Sequence, residues 1–252
     1  MTTLHGVQKW TGALFLTAAV TFGAASSTLS ATFNWPDILR EPAPVVLHEF
    51  HNGGTTLIGT WFAVAWTYGL LGVPILMLAT ALGRRTDPVL RAAGAIGAAS
   101  VLLSLIGFLR WVFVVPALAQ AWTDGDGPTR TAVEAAWTAQ HQFGGALLGE
   151  HLGQVLAVAW SATVSVVVLR SGVLPRWIGW TGLVVSALYL LNQGDVLATA
   201  VPGFPVWDLA GLIGSTTWGL WIAALGVTVM KNGGRPPATP RSDHAATAIG
   251  TP

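Results

Sequence analysis

The chain contains no cysteine, only two tyrosines, and Asp, Glu, Lys or Arg at just 9% of its 252 positions. Without cysteine there can be no disulfide, no iron–sulfur ligation and no thiolate nucleophile. So few charges, set against 52% hydrophobic residues, exclude an ordinary soluble globular chain and equally a charged disordered one. The formal net charge is only +1, and binding to nucleic acid is not expected. What the chain has instead is apolar length: the mean hydropathy is +0.60, and 13 of the residues are tryptophan.

A helix needs about 20 predominantly apolar residues to cross a bilayer. Six segments reach that length: Trp10–Phe33, Thr55–Gly83, Ala92–Trp122, Phe143–Leu169, Trp177–Val201 and Val206–Met230. In lipid each backbone polar group must be satisfied within its own segment, so all six are expected to be helices. The expected fold is therefore all-α, an integral membrane bundle of six transmembrane helices occupying residues 1–230. Of the 12 Lys and Arg residues, nine fall at the N-terminus, in the second and fourth connections, or in the tail: Lys9, Arg84, Arg85, Arg91, Arg170, Arg176, Lys231, Arg235 and Arg241. Arg40 and Arg130 lie in the first and third connections, and Arg110 lies within a span. The positive-inside rule then places both termini in the cytoplasm of a cell-membrane, multi-pass protein. The first span reads as a signal anchor. Residues 231–252, rich in Pro, Gly, Ala and Thr, read as a disordered cytoplasmic tail.

Two connections carry detail. The first, Asn34 to Gly54, holds Asp37, Arg40, Glu41, His48, Glu49 and His51; Val45–Phe50 reads as a short interfacial helix, and the connection is placed to cover a site on the outer face. The third contains Asp124-Gly125-Asp126-Gly127, a turn rather than a calcium loop, because position 128 is Pro and the twelfth position lacks Glu. Thr131 and Glu134 have capping-box spacing, which predicts a helix from about Ala132. From there to Arg170 is too long for one upright span, so an interfacial segment through His141 and a bend near Gly144–Gly145 are expected before span four.

The ionisable residues inside or at the ends of spans are the functional candidates, because an unpaired charge in hydrocarbon is costly. They are Arg110, Glu150, Asp195 and Asp208. At 100° per residue Glu150, Gln154 and Ser161 share a stripe of span four, with His151 at its edge, and Gly145, Gly149 and Gly153 form a small-residue packing face. Arg110 in span three is the expected partner of Glu150. Tyr189, Asn192, Gln193 and Asp195 form a polar group near the outer end of span five. Asp208 opens span six, where a helix dipole alone would favour it. Together with the histidines these residues map to the outer half of the membrane, and they suggest an outward-facing polar pocket with aromatic walls drawn from Trp61, Trp66, Trp111, Trp160, Trp218 and Trp221. Glu150, Asp195, Arg110 and His151 are the catalytic candidates. Gln154, Asn192, Gln193, Tyr189, Trp111 and Asp208 are the ligand-binding ones. His48, His51 and His141 are weak metal or haem candidates, since His48-Glu49-Phe50-His51 is not the spacing of a zinc helix; no cofactor is assigned.

From Val166 to Leu191 the chain reads VVVLRSGVLPRWIGWTGLVVSALYLL. The run Arg170-Ser171-Gly172-Val173-Leu174-Pro175-Arg176-Trp177, followed by Gly182-Leu183, resembles the signature loop of a bacterial multi-span membrane family catalogued only as a domain of unknown function. The placement of Arg110 and Glu150 is similar too. This resemblance implies a six-helix membrane domain and no reaction. Three functions stay open. One is an acid-base enzyme on an isoprenoid-like lipophilic molecule, for instance a cyclase. Another is a non-catalytic ligand-binding sensor or partner subunit in which Arg110 and Glu150 form a structural ion pair. The last is a transporter, against which the nearly uncharged inner halves of the spans argue.

Overall fold

In the computed structural model, which describes residues 2–207 and 209–232, every regular element is helical. Helix α1 covers Thr2–Phe33. A 3₁₀ turn, Asp37–Arg40, leads to α2, Ala43–Gly69, and α3, Gly72–Ala81. Then come α4, Pro88–Phe113, and α5, Val115–Asp124. Helix α6, Gly127–Gln140, runs directly into a π-helix, His141–Leu152, and on into α7, Gly153–Ser171. Helices α8, Arg176–Leu191, α9, Gln193–Ala198, and α10, Ala210–Asn232, are the last among the described residues.

Among the described residues, five helical stretches are long and apolar enough to cross a membrane: Leu4–Phe33, Ala43–Ala81, Pro88–Asp124, Gly127–Ser171 and Ala210–Lys231. The fifth expected span, Trp177–Val201, is divided. Helix α8 is 16 residues long and the chain breaks at Asn192 before the short α9. Within the apolar windows of the five stretches only 22–44% of residues are buried inside the protein. Many of the others, among them Phe62, Trp66, Leu76, Leu102, Leu212 and Leu220, are exposed on the outside of the bundle. Apolar surface in such quantity around a whole bundle requires a lipid solvent, and the protein is a multi-pass membrane protein.

The helix ends follow local chemistry. Asp87 caps α4 by accepting from the backbone N–H of Val89 (2.9 Å) and Leu90 (3.3 Å), and Pro88 fills the first turn, where no N–H is needed. Asp126 caps α6 through the N–H of Thr129 (3.0 Å), so this helix starts at Gly127, earlier than the Thr131–Glu134 spacing predicts. Glu134 instead accepts from the Trp122 indole (3.1 Å). Helix α7 stops where Gly172 takes φ 64°, a left-handed conformation open to glycine, and Pro175 then precedes α8. The short helix expected at Val45–Phe50 is present within residues 43–53, and Gly54, with the non-helical angles φ 53° and ψ −148°, separates it from the remainder of α2.

The long segments pack in sequence order around a ring. Helix α1 lies against α2 and α3, these against α4, α4 against the π-helix and α7, α7 against α8, and α8 against α10, which closes on α1. Two apolar cores fill it. One is centred on Trp160, whose ring meets Phe15 (6.1 Å), Trp221 (5.8 Å) and Trp218 (6.4 Å). The other lies under the first connection, where Trp61 and Trp111 stack face to face at 4.6 Å, edged by Phe33 and Phe50. These tryptophans are packing, not pocket wall; Trp66 is 52% exposed toward the outside of the bundle.

Candidate functional site

The face of span four read from the sequence turns toward α8 and α9. Gln154 Oε1 accepts from Asn192 Nδ2 (3.0 Å) and Gln193 Nε2 (2.8 Å). The Gln193 side-chain oxygen is 2.6 Å from His151 Nδ1. Two turns deeper, Ser161 shares a buried hydrogen bond with Ser186 (2.8 Å). The break at Asn192 has a use: with the helix interrupted, Asn192 and Gln193 both reach the same acceptor.

Glu150 and Asp195 flank this amide network, and one cation serves both. Arg40, from the 3₁₀ turn of the first connection, donates from Nη2 to Glu150 Oε2 (2.7 Å) and to Asp195 Oδ2 (2.6 Å), and its Nε lies 3.1 Å from both Asp195 oxygens. Burial alone would lower the Arg40 guanidinium. The field of Glu150 and the hydrogen bonds to both carboxylates outweigh it and hold the group above its ordinary value. The expected Arg110–Glu150 pair is thus corrected. Glu150 is 110 residues from its actual partner in sequence. No periodicity links them, but charge arithmetic could have: Arg40 is the one Lys or Arg of the first connection, set on the same side as Glu150 and Asp195.

Arg110 is held differently. Its Nη1 donates to the backbone carbonyl of His141 (3.2 Å), where the helix widens, and its Cζ is 5.3 Å from the Trp111 ring centroid. A Cβ on Gly145 would fall 1.6 Å from Nη1, so the absent side chain is what admits the guanidinium. The same glycine stripe packs on α4 elsewhere, Gly149 against Gly107 and Gly153 against Ser104. Among the described residues Arg110 forms no ion pair. Its Nε, His141 Nδ1 and Glu150 Oε1 are all buried without a hydrogen-bond partner there. A π-helix of 12 residues beside such groups is unusual, since widened turns cluster at functional sites.

The other candidates scatter. Tyr189 packs against Trp218 (5.7 Å) in the Trp160 core, and Trp111 is 1% exposed in the other. His141 stacks on Trp137 (5.3 Å). His48 is exposed, and His51 lines a separate cavity of about 210 Å³ between α2 and α5. Among the described residues no group of three or more His, Asp or Glu could hold a metal. Asp208 and the greater part of the tail, from 233 onward, lie outside the described residues.

Fold and site together define a polytopic helical membrane protein with a polar, ion-paired cluster at one end. Residues 10–226 match the model of the domain of unknown function DUF4386, and the chain belongs to that family. No curated protein and no solved structure matches it.

Proposed function

We propose that the chain is a membrane ligand-binding protein, a sensor or a partner subunit, whose site for a lipophilic small molecule lies at the polar end and is latched by Arg40. The observation that carries this is the source of the latch: the cation neutralising two bundle carboxylates comes from a connection, not from a span. A connection can lift while the spans stay packed. Beneath it wait the partnerless Arg110 Nε, His141 Nδ1 and Glu150 Oε1, together with the His151–Gln193–Gln154–Asn192 network. Phe143 and Leu147, exposed on the outside of the π-helix, give the approach an apolar character suited to a molecule arriving through lipid. Lys and Arg placement favours this end being the outer one and both termini cytoplasmic, with α8 and α9 together as a sixth span.

An enzyme with Glu150 as proton donor has less support, because Arg40 already occupies Oε2 of that carboxylate. The test is mass spectrometry of lipophilic molecules retained by purified wild type and by Arg40→Gln. A discrete non-bulk compound enriched in Arg40→Gln, and lost again when Gln154→Leu is added, is the expected result. Equal bulk-lipid profiles in all three preparations contradict the proposal.

A further inference from the structure

At the opposite end of the ring, α1 and α10 meet unusually closely. A Cβ on Gly12 would lie 2.4 Å from the carbonyl oxygen of Gly226 and 2.4 Å from Met230 Cγ, and one on Gly226 would lie 2.7 Å from the Gly12 oxygen. The two helices therefore touch backbone to backbone, and Met230 lies across Gly12. Beside this crossing, toward the chain ends, lies a shallow open groove lined by Lys9, Trp10, Ala13, Met230 and Lys231. Ala13 and Met230 give it an apolar floor, Trp10 stands 69% exposed beside it, and an ammonium group lies on each helix.

The surrounding charge is of one sign. This end of the bundle also carries Arg84, Arg85, Arg91, Arg170 and Arg176, and the single carboxylate among its described residues, Asp87, is bound to Arg84 (2.8 Å). Neither Lys9 nor Lys231 forms an ion pair among the described residues. An apolar floor leading up to two ammonium groups beside an interfacial tryptophan matches an acyl chain joined to a phosphate. Basic recesses between transmembrane helices hold anionic headgroups in this way.

We infer that the groove between α1 and α10 is a binding site for an anionic phospholipid, its phosphate between Lys9 and Lys231 and an acyl chain along Ala13 and Met230. The site is independent of the polar end, more than a bilayer leaflet away along α1.

Native mass spectrometry of the full chain in mild detergent, titrated with phosphatidylglycerol or phosphatidylcholine, tests it. Wild type is expected to retain phosphatidylglycerol in preference to phosphatidylcholine, and Lys9→Gln/Lys231→Gln to lose that preference, with roughly thirtyfold weaker binding for two removed cations. Lys9→Arg/Lys231→Arg, which keeps the charge, is expected to bind like wild type and so separates lost recognition from lost folding. Arg85→Gln/Arg91→Gln, outside the groove, is expected to leave the preference intact. Equal retention of the two lipids by wild type, an unchanged preference in the lysine-to-glutamine variant, or an equal loss in the Arg85/Arg91 variant would each overturn the site.

Discussion

At the residue scale the arginines decide how the polar end is built, and they do so in different ways. Arg40 is matched by carboxylates, while Arg110 is matched by backbone carbonyls, a tryptophan face and the space over Gly145. Gly145→Ala must therefore displace a buried guanidinium. Thermal or denaturant unfolding is expected to show a loss of about 1–3 kcal/mol, the range for overpacking a filled site. Because the clash has one identified cause, adding Arg110→Ala is expected to cost less than the sum of the single changes; strict additivity would show that the two residues do not meet. Here the sequence was half legible. Arg110 and Glu150 stand out because charge in an apolar run is rare, and the Glu150–Gln154–Ser161 stripe follows from helical period alone. Which cation meets which anion depends on how a proline-broken connection folds back, and no local period encodes that.

Among the elements, helix beginnings were the most readable in kind and the least in position. A T-x-x-E spacing drew the start of α6 to Ala132, but Asp126 followed by Gly-Pro supplies a better cap and starts the helix at Gly127, more than a turn earlier. Asp126→Ala is expected to cost about 1 kcal/mol in unfolding experiments, with Thr131→Ala nearly silent. The start of α4 adds a pH dependence. The hydrogen bond from Arg84, joined by the Val89 and Leu90 amides, holds the Asp87 carboxyl below its ordinary value. A carboxyl depressed in the folded state stabilises it above the unfolded value of about 3.9 and loses that contribution as pH falls through the folded one. Wild type is thus expected to lose stability relative to Asp87→Asn on acidification below about pH 4, and parallel profiles would show that the pairing adds nothing. The π-helix was not legible at all. Glycines four apart predict a packing face, which Gly149 and Gly153 do form, but they do not distinguish an α-helix from a wider one into which a side chain is inserted.

For the whole molecule, hydropathy was enough to find the long segments, because a bundle surrounded by lipid needs apolar residues on every face. The division at Asn192 escaped it, since an apolar run does not reveal where a helix within it is interrupted. The absence of native cysteine makes orientation straightforward to measure. Cysteines introduced at the exposed positions Thr86 and Thr129 lie at opposite ends, so a membrane-impermeant maleimide applied to intact cells is expected to label Thr129→Cys and spare Thr86→Cys. The reverse pattern would invert the proposed topology. The tie that spans most of the chain is Arg40 to Glu150 and Asp195, joining the first connection to spans four and five across 110 and 155 residues. Its side chains are partly exposed, 28%, 18% and 36%, so each contact stands between a surface ion pair and a buried one. A double-mutant cycle on unfolding stability, Arg40→Gln with Glu150→Gln and, in parallel, Arg110→Gln with Glu150→Gln, measures this latch most directly. A coupling of about 1–2 kcal/mol for the Arg40 cycle, clearly larger than for the Arg110 cycle, is the expected result. A negligible Arg40 coupling beside a large Arg110 one would contradict it.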